Sequence, residues 1–161
     1  MRLRALAVAV SVLAAGAFAF VGSFAGSNVP EADPASHDIA RGETLYAENC
    51  ASCHGADLEG QPEWRTPGPE GRLPAPPHDD SGHTWHHPDS MLFAYTKFGG
   101  QATLAEKGVE FDSGMPAFVN TLSDAEIRDI LAFIKSTWSP RARAVQAERT
   151  AADERSTESR K

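Results

Sequence analysis

Apolar residues first occur as one unbroken run from Leu6 to about Ala25, behind Met1-Arg2-Leu3-Arg4. A basic start and an apolar middle describe an export signal, and Ala17-Phe18-Ala19 offers a cleavage site. The run is also nearly the ~20 residues that a bilayer-crossing helix needs. It has no polar face, which argues against a buried core helix. Residues 1–26 are therefore expected to be a signal peptide or an N-terminal membrane anchor, with any tether formed by residues 6–25. Either form keeps Arg2 and Arg4 on the cytoplasmic side and the rest of the chain outside.

Residues 27–35, with Pro30 and Pro34, read as a linker. Beyond it the apolar spacing becomes helical. Ile39, Gly42, Leu45 and Tyr46 form one stripe that starts near Ser36 or His37 and reaches Cys50. From Gly55 to Pro88 the chain is rich in Pro, Gly, Asp and His and has little period, so it predicts a long loop. Its apolar contacts are Leu58, Trp64, Leu73 and Trp85. Pro88 to Phe98 reads as a second helix with Met91, Leu92, Tyr95 and Phe98 on its apolar face and Gly99-Gly100 as its stop. Gly99 to Asp112 reads as irregular. A third helix is signalled by a capping box at Ser123 and Glu126, with Leu122 and Ile127 placed as a hydrophobic staple. Its buried stripe is Ile127, Ile130, Leu131, Ile134 and Trp138, with Phe133 at the edge, and Pro140 ends it. Residues 140–161 form a charged tail with too few apolar residues to pack. It is expected to be disordered, or else an exposed helical extension. The pattern predicts one all-α domain over residues 36–139.

Charge narrows the partners. Residues 31–140 carry 18 Asp and Glu against 7 Lys and Arg, although the whole chain is only −7. Such a domain does not bind nucleic acid. Its surface suits basic partners or simple solubility.

The only two cysteines lie in Cys50-Ala51-Ser52-Cys53-His54. This is the spacing for attachment of a c-type haem. Two thiols one helical turn apart can each add to one vinyl group of a porphyrin, and the next residue then offers an imidazole to the iron. A bare pair at this spacing also suits a redox dithiol or half of a zinc site. Zinc would need further ligands, and a dithiol wants a βαβ context that the upstream pattern lacks. A haem would account for the long loop, because the porphyrin supplies the core that the loop wraps. A carbonyl of Pro76 or Pro77 is expected to accept the other ring N–H of His54, which fixes the ring and makes it a better donor.

Met115 is the candidate for the opposite side of the iron. A thioether favours ferrous iron, Pro116 holds the preceding backbone extended, and Gly114 allows a close approach. Core packing is the plainer role for a methionine, and Met91 on its apolar helix face suits that role better. His78, His83, His86 and His87 crowd one stretch with Asp79, Asp80 and Asp89. His83, His86 and His87 could bind copper. One histidine could instead ligate iron, or the stretch could be a polar cover with its ring N–H groups bonded to propionates or backbone.

Gly42-x-x-x-Tyr46, Cys50-Ala-Ser-Cys-His54-Gly55, Met115-Pro116-Ala117-Phe118 and Leu122-Ser123-Asp124-x-Glu126-Ile127 together resemble a class I monohaem cytochrome c over about 100 residues. The stretch from Ala75 to Asp89 is similar to that of a bacterial subgroup of exported or membrane-tethered members, although its histidines depart from the general pattern. The resemblance implies a class I cytochrome c fold, with three main helices around one covalent haem c. It places the haem on Cys50 and Cys53, with His54 and Met115 as iron ligands. It also implies that Gly42 and Tyr46 meet Phe133 and its neighbours where the first and last helices cross. The implied role is electron carrier rather than enzyme, in a periplasmic respiratory chain, with membrane-bound redox donors and acceptors. A haem enzyme or gas sensor with a displaced Met115, or a copper-handling cytochrome, are the other functions the residues admit.

Overall fold

The structure is a computed structural model and describes residues 37–161. The expected signal or anchor at 1–26 and the linker at 27–35 lie outside these residues. The described chain holds six α-helices: α1 (Ile39–Asn49), α2 (Ala51–His54), α3 (Asp89–Phe98), α4 (Gly100–Glu106), α5 (Asp124–Thr137) and α6 (Pro140–Glu158). A 3₁₀ turn at Thr84–His86 interrupts the long loop between α2 and α3. The all-α expectation holds, and the three expected helices are α1, α3 and α5.

The ends of the helices follow local chemistry. The Asp38 side chain accepts the Arg41 N–H at 2.9 Å and starts α1. At α5 the Ser123 and Glu126 side chains and backbone amides satisfy one another reciprocally. Leu122 and Ile127, the staple pair, are both buried.

α1 and α5 cross at Gly42. A Cβ there would run into the backbone carbonyl of Asp129 and crowd the Cβ of Phe133. One turn on, the Tyr46 ring meets that of Phe133 at 5.5 Å. The core gathers here: Tyr46, Ile127, Ile130, Ile134 and Trp138 are almost wholly inaccessible. Asp129 is also only 3% exposed, which the hydropathy pattern does not foretell. Its carboxylate accepts the Asp38 N–H at 2.9 Å and the Arg41 Nε–H at 2.6 Å, so the buried charge is satisfied by the start of α1.

Three expectations are corrected. Residues 99–112 are not wholly irregular. Gly99 ends α3 at φ +82°, but α4 begins at the next residue, and buried Thr103 donates to the Ala94 carbonyl of α3 at 3.0 Å. That packing, more than a short local pattern, makes the segment helical. Phe98 is 47% exposed, so α3 buries Leu92 and Thr96 instead of the whole predicted face.

The exposure of the tail is the third correction. Of the two forms expected for residues 140–161 the structure takes the helical extension, as α6, but buries part of it. α5 stops at Thr137, Trp138 is extended, and Pro140 takes the first position of α6, where its missing N–H costs nothing. The Ser139 side chain caps α6 by accepting the Ala142 N–H at 3.2 Å. α6 docks through Ala142 and Gln146, each 3% exposed. The Gln146 amide donates to Asp89 Oδ1 at 2.6 Å, Thr150 Oγ1 at 3.0 Å and the His87 carbonyl at 3.4 Å. These contacts are polar, so a search for apolar stripes passes over them.

Two outcomes test this arrangement. Gly42→Ala should gain up to about 1 kcal/mol of helix propensity. It should still lower stability by about 2 kcal/mol net, because the opposing atom is backbone and cannot yield. Gln146→Ala should cost about 1 kcal/mol by removing hydrogen bonds to part-buried acceptors. Denaturant unfolding followed by far-ultraviolet circular dichroism measures both.

Candidate haem site

The site is built on the corner between α1 and α2. The Cys50 N–H donates to the Tyr46 carbonyl at 2.8 Å and so extends α1 by one residue. The Cys53 and His54 N–H groups then both return to the Cys50 carbonyl, at 3.1 and 2.9 Å. A single helical turn therefore carries both thiols and the imidazole. Gly55, at φ +83°, ends the turn, and its carbonyl accepts the Tyr46 hydroxyl at 3.0 Å. This bond ties the turn to the α1–α5 crossing.

The two cysteines form no disulfide; Cys50 is buried and Cys53 exposed. Burial, with a smaller contribution from Cys53, pushes the Cys50 thiol up to about 11. His54 is buried, and its Nδ1 lies 2.8 Å from the Pro76 carbonyl. A carbonyl can only accept, so Nδ1 carries the proton and Nε2 keeps its lone pair for a metal ion. Burial lowers the His54 pKa, and the bond to Pro76 opposes that shift only in part, so the ring is held neutral.

The Pro76 carbonyl is itself held in place. The Gly60 N–H donates to the His54 carbonyl at 2.7 Å. Gly60, at φ +68°, packs so closely on the Pro76–Pro77 peptide that a Cβ would collide with it. The Gln61 N–H donates to the Ala75 carbonyl at 2.9 Å, and the Ala75 N–H returns to the Gln61 side chain at 3.0 Å. Leu58, strained at φ +63° but buried, accepts the N–H groups of His78 and Asp79. Of the two prolines considered from sequence, Pro76 is the acceptor. Gly60 was not singled out there; its signal is a glycine shortly after Cys-x-x-Cys-His, which is too common to read alone.

His78 was grouped with the other loop histidines but belongs to this corner. Its ring stacks on that of His54, with centroids 3.9 Å apart and planes 19° from parallel. Its Nδ1 is sealed from solvent and has no hydrogen-bond partner. Burial first, then the neighbouring His54 and His83, hold its pKa well below the ordinary value.

Met115 is carried by a different segment. Its N–H donates to Ser113 Oγ at 3.3 Å, and its carbonyl accepts the Gly100 N–H at 3.2 Å. The Phe118 and Val119 N–H groups reach carbonyls of Thr96 and Lys97. Residues 115–119 are thereby laid along the end of α3, and buried Gly99 leaves room for their backbone.

The copper expectation at His83, His86 and His87 is not met by an assembled ligand set. The His83 ring stacks on Trp64 at 5.3 Å, and the His86 ring on Trp85 at 3.7 Å. His83 meets His87 edge-on at 5.4 Å. Among the described residues no group of three His, Cys, Asp or Glu is placed to hold a metal ion, which also leaves the zinc reading of Cys50 and Cys53 without partners. Among the same residues no helix is long and apolar enough to cross a membrane.

The donor set fits one group. Two cysteines outside any disulfide share one turn with a neutral imidazole whose tautomer is fixed by Pro76. An all-helical domain with this arrangement is a carrier of covalently attached haem. The chain belongs to the cytochrome c family, whose profile matches residues 39–138. Members are haem-based electron carriers, and the cofactor is haem c. The chain is 33% identical to cytochrome c-555 of Prosthecochloris aestuarii over 87 residues, which is 50% of this chain and 87% of that protein. It is 26% identical to the Cbb3-type cytochrome c oxidase subunit FixP of Sinorhizobium medicae over 109 residues, covering 68% of this chain but 31% of FixP. No solved structure matches the chain.

Gly60→Ala should push the Pro76 carbonyl away from His54, weaken the ring as a donor and raise the reduction potential of the haem-loaded protein. Gly68→Ala is the control, since a Cβ there meets its nearest atom at an ordinary 3.5 Å. Redox titration of both variants checks the difference.

Proposed function

We propose that this chain carries single electrons outside the cytoplasm through one haem c, held by Cys50 and Cys53 and ligated by His54 and Met115. The observation that carries the reading is the His54–Pro76 bond, which leaves Nε2 unprotonated beside both thiols. When bound, the haem supplies an iron that passes between ferric and ferrous states.

The chain's own residues do the rest. His54 presents one nitrogen and is kept from rotating by Pro76. Met115 offers a soft, neutral donor that favours the ferrous state and raises the potential. Pro116 keeps its backbone extended, and the bonds from α3 and α4 hold its segment in place. With His54 and Met115 both holding the iron, no position would be left for substrate, so the role would be transfer rather than catalysis. A frame anchored by buried helices changes little between oxidation states, which keeps transfer fast.

The basic start and apolar run at residues 1–26 support export, with the domain in the periplasm or tethered at the membrane. The likeness to a subunit named for a cbb3-type oxidase supports a respiratory chain with membrane-bound redox partners. The acidic domain suits basic docking surfaces on those partners.

The exported ferric protein should show the weak long-wavelength band that reports sulfur on iron. Met115→Ala should abolish that band and lower the reduction potential. The pigment should remain with the polypeptide in acidified acetone, and Cys50→Ala with Cys53→Ala should release it. A wild-type protein without the band, or one binding carbon monoxide at once when reduced, would overturn the assignment of Met115.

A further inference from the structure

His78 is fixed more firmly than a covering loop requires. Its N–H donates to the Leu58 carbonyl at 2.8 Å, and its carbonyl accepts the Trp138 indole N–H at 2.7 Å. Trp138 is 2% exposed and closes the core at the end of α5. The Tyr46 ring meets the His78 ring edge-on at 5.9 Å. Backbone clamps on two sides and a ring on a third therefore press the imidazole flat against His54. A leucine could fill this space without burying a nitrogen. The sealed Nδ1 has no hydrogen-bond partner within the chain, so the ring meets its neighbours through its faces and edges.

We propose that His78 is a positioning residue for His54, setting the azimuth of the imidazole that faces the iron. The Pro76 carbonyl holds one edge of the His54 ring and His78 holds one face. Together they leave a single orientation about the Cβ–Cγ bond, where either alone would permit rocking. The inference rests on His54 as the proximal iron ligand. It goes beyond that reading by assigning the ring's orientation to a residue that does not touch the iron.

The test uses the full haem-loaded protein. In ferric low-spin haem, the order and spread of the haem-methyl proton resonances report the plane of the axial imidazole. His78→Leu should alter that pattern and shift the reduction potential. His78→Phe, which restores a flat ring, should return both towards wild type. A wild-type pattern in His78→Leu, even with a lower melting temperature, would reduce the residue to packing and sink the proposal. The same altered pattern in both variants would also sink it. Should neither variant accumulate, the wild-type ferrous protein decides: nuclear Overhauser contacts between the His54 and His78 ring protons are expected, and their absence overturns the stacking. Failure of the functional reading is seen separately, as a wild-type spectrum without haem or without its sulfur band.

Discussion

Backbone contact between α1 and α5 at Gly42 is the constraint on which the other parts depend. Side chains normally hold helices 8–10 Å apart, and removing one lets the carbonyl of Asp129 approach the helix directly. That approach brings Tyr46 against Phe133 and fixes how far α1 advances before it turns. The Tyr46 hydroxyl then catches the Gly55 carbonyl, so the Cys50–His54 turn inherits its position from the crossing. A buried carboxylate at such a point would be costly alone. Asp129 is tolerated because the first turn of α1 supplies its donors, which also locks the register of the two helices.

The second constraint is polar and comes from the other end of the chain. The loop from Gly55 to Pro88 has little apolar surface of its own and is held by hydrogen bonds at discrete points. Leu58 and Trp138 hold His78, the Ser139 N–H reaches the Asp80 carboxylate at 3.0 Å, and Gln146 holds His87 and Asp89. Lys135 adds an ion pair to Asp89 at 2.8 Å. α6 is thus a strap across the loop that presents Pro76 to His54. Residues 139–158 lie beyond the stretch matched by the family profile, so this hold on the loop comes from outside that match.

The histidine-rich loop shows how alike neighbouring residues in one sequence can be and how differently they are used. His54 is a neutral ring with one nitrogen committed to a carbonyl. His78 is stacked against it. His83 and His86 face indole rings, and His87 lends its backbone carbonyl to Gln146. A count of imidazoles suggests a metal cluster, but aromatic stacking and burial spend most of them elsewhere. Burial also keeps His54, His78, His83 and His87 towards the neutral form, so the acidic charge of the domain is little offset there.

Features set by short-range rules were legible from residue order alone. The Cys-x-x-Cys-His spacing puts both thiols and the imidazole on one helical turn, as found. The capping box at Ser123 likewise announces a helix start, whereas the crossing at Gly42 was expected only from the likeness to a family. The choice of Pro76 over Pro77, the stacking of His78, the burial of Asp129 and the helical tail were decided by the tertiary structure. Each of these is a contact between residues far apart in the chain, and most are made through backbone or polar atoms. Hydropathy along a sequence records which side chains avoid water. It carries no record of which distant carbonyl a ring nitrogen will find.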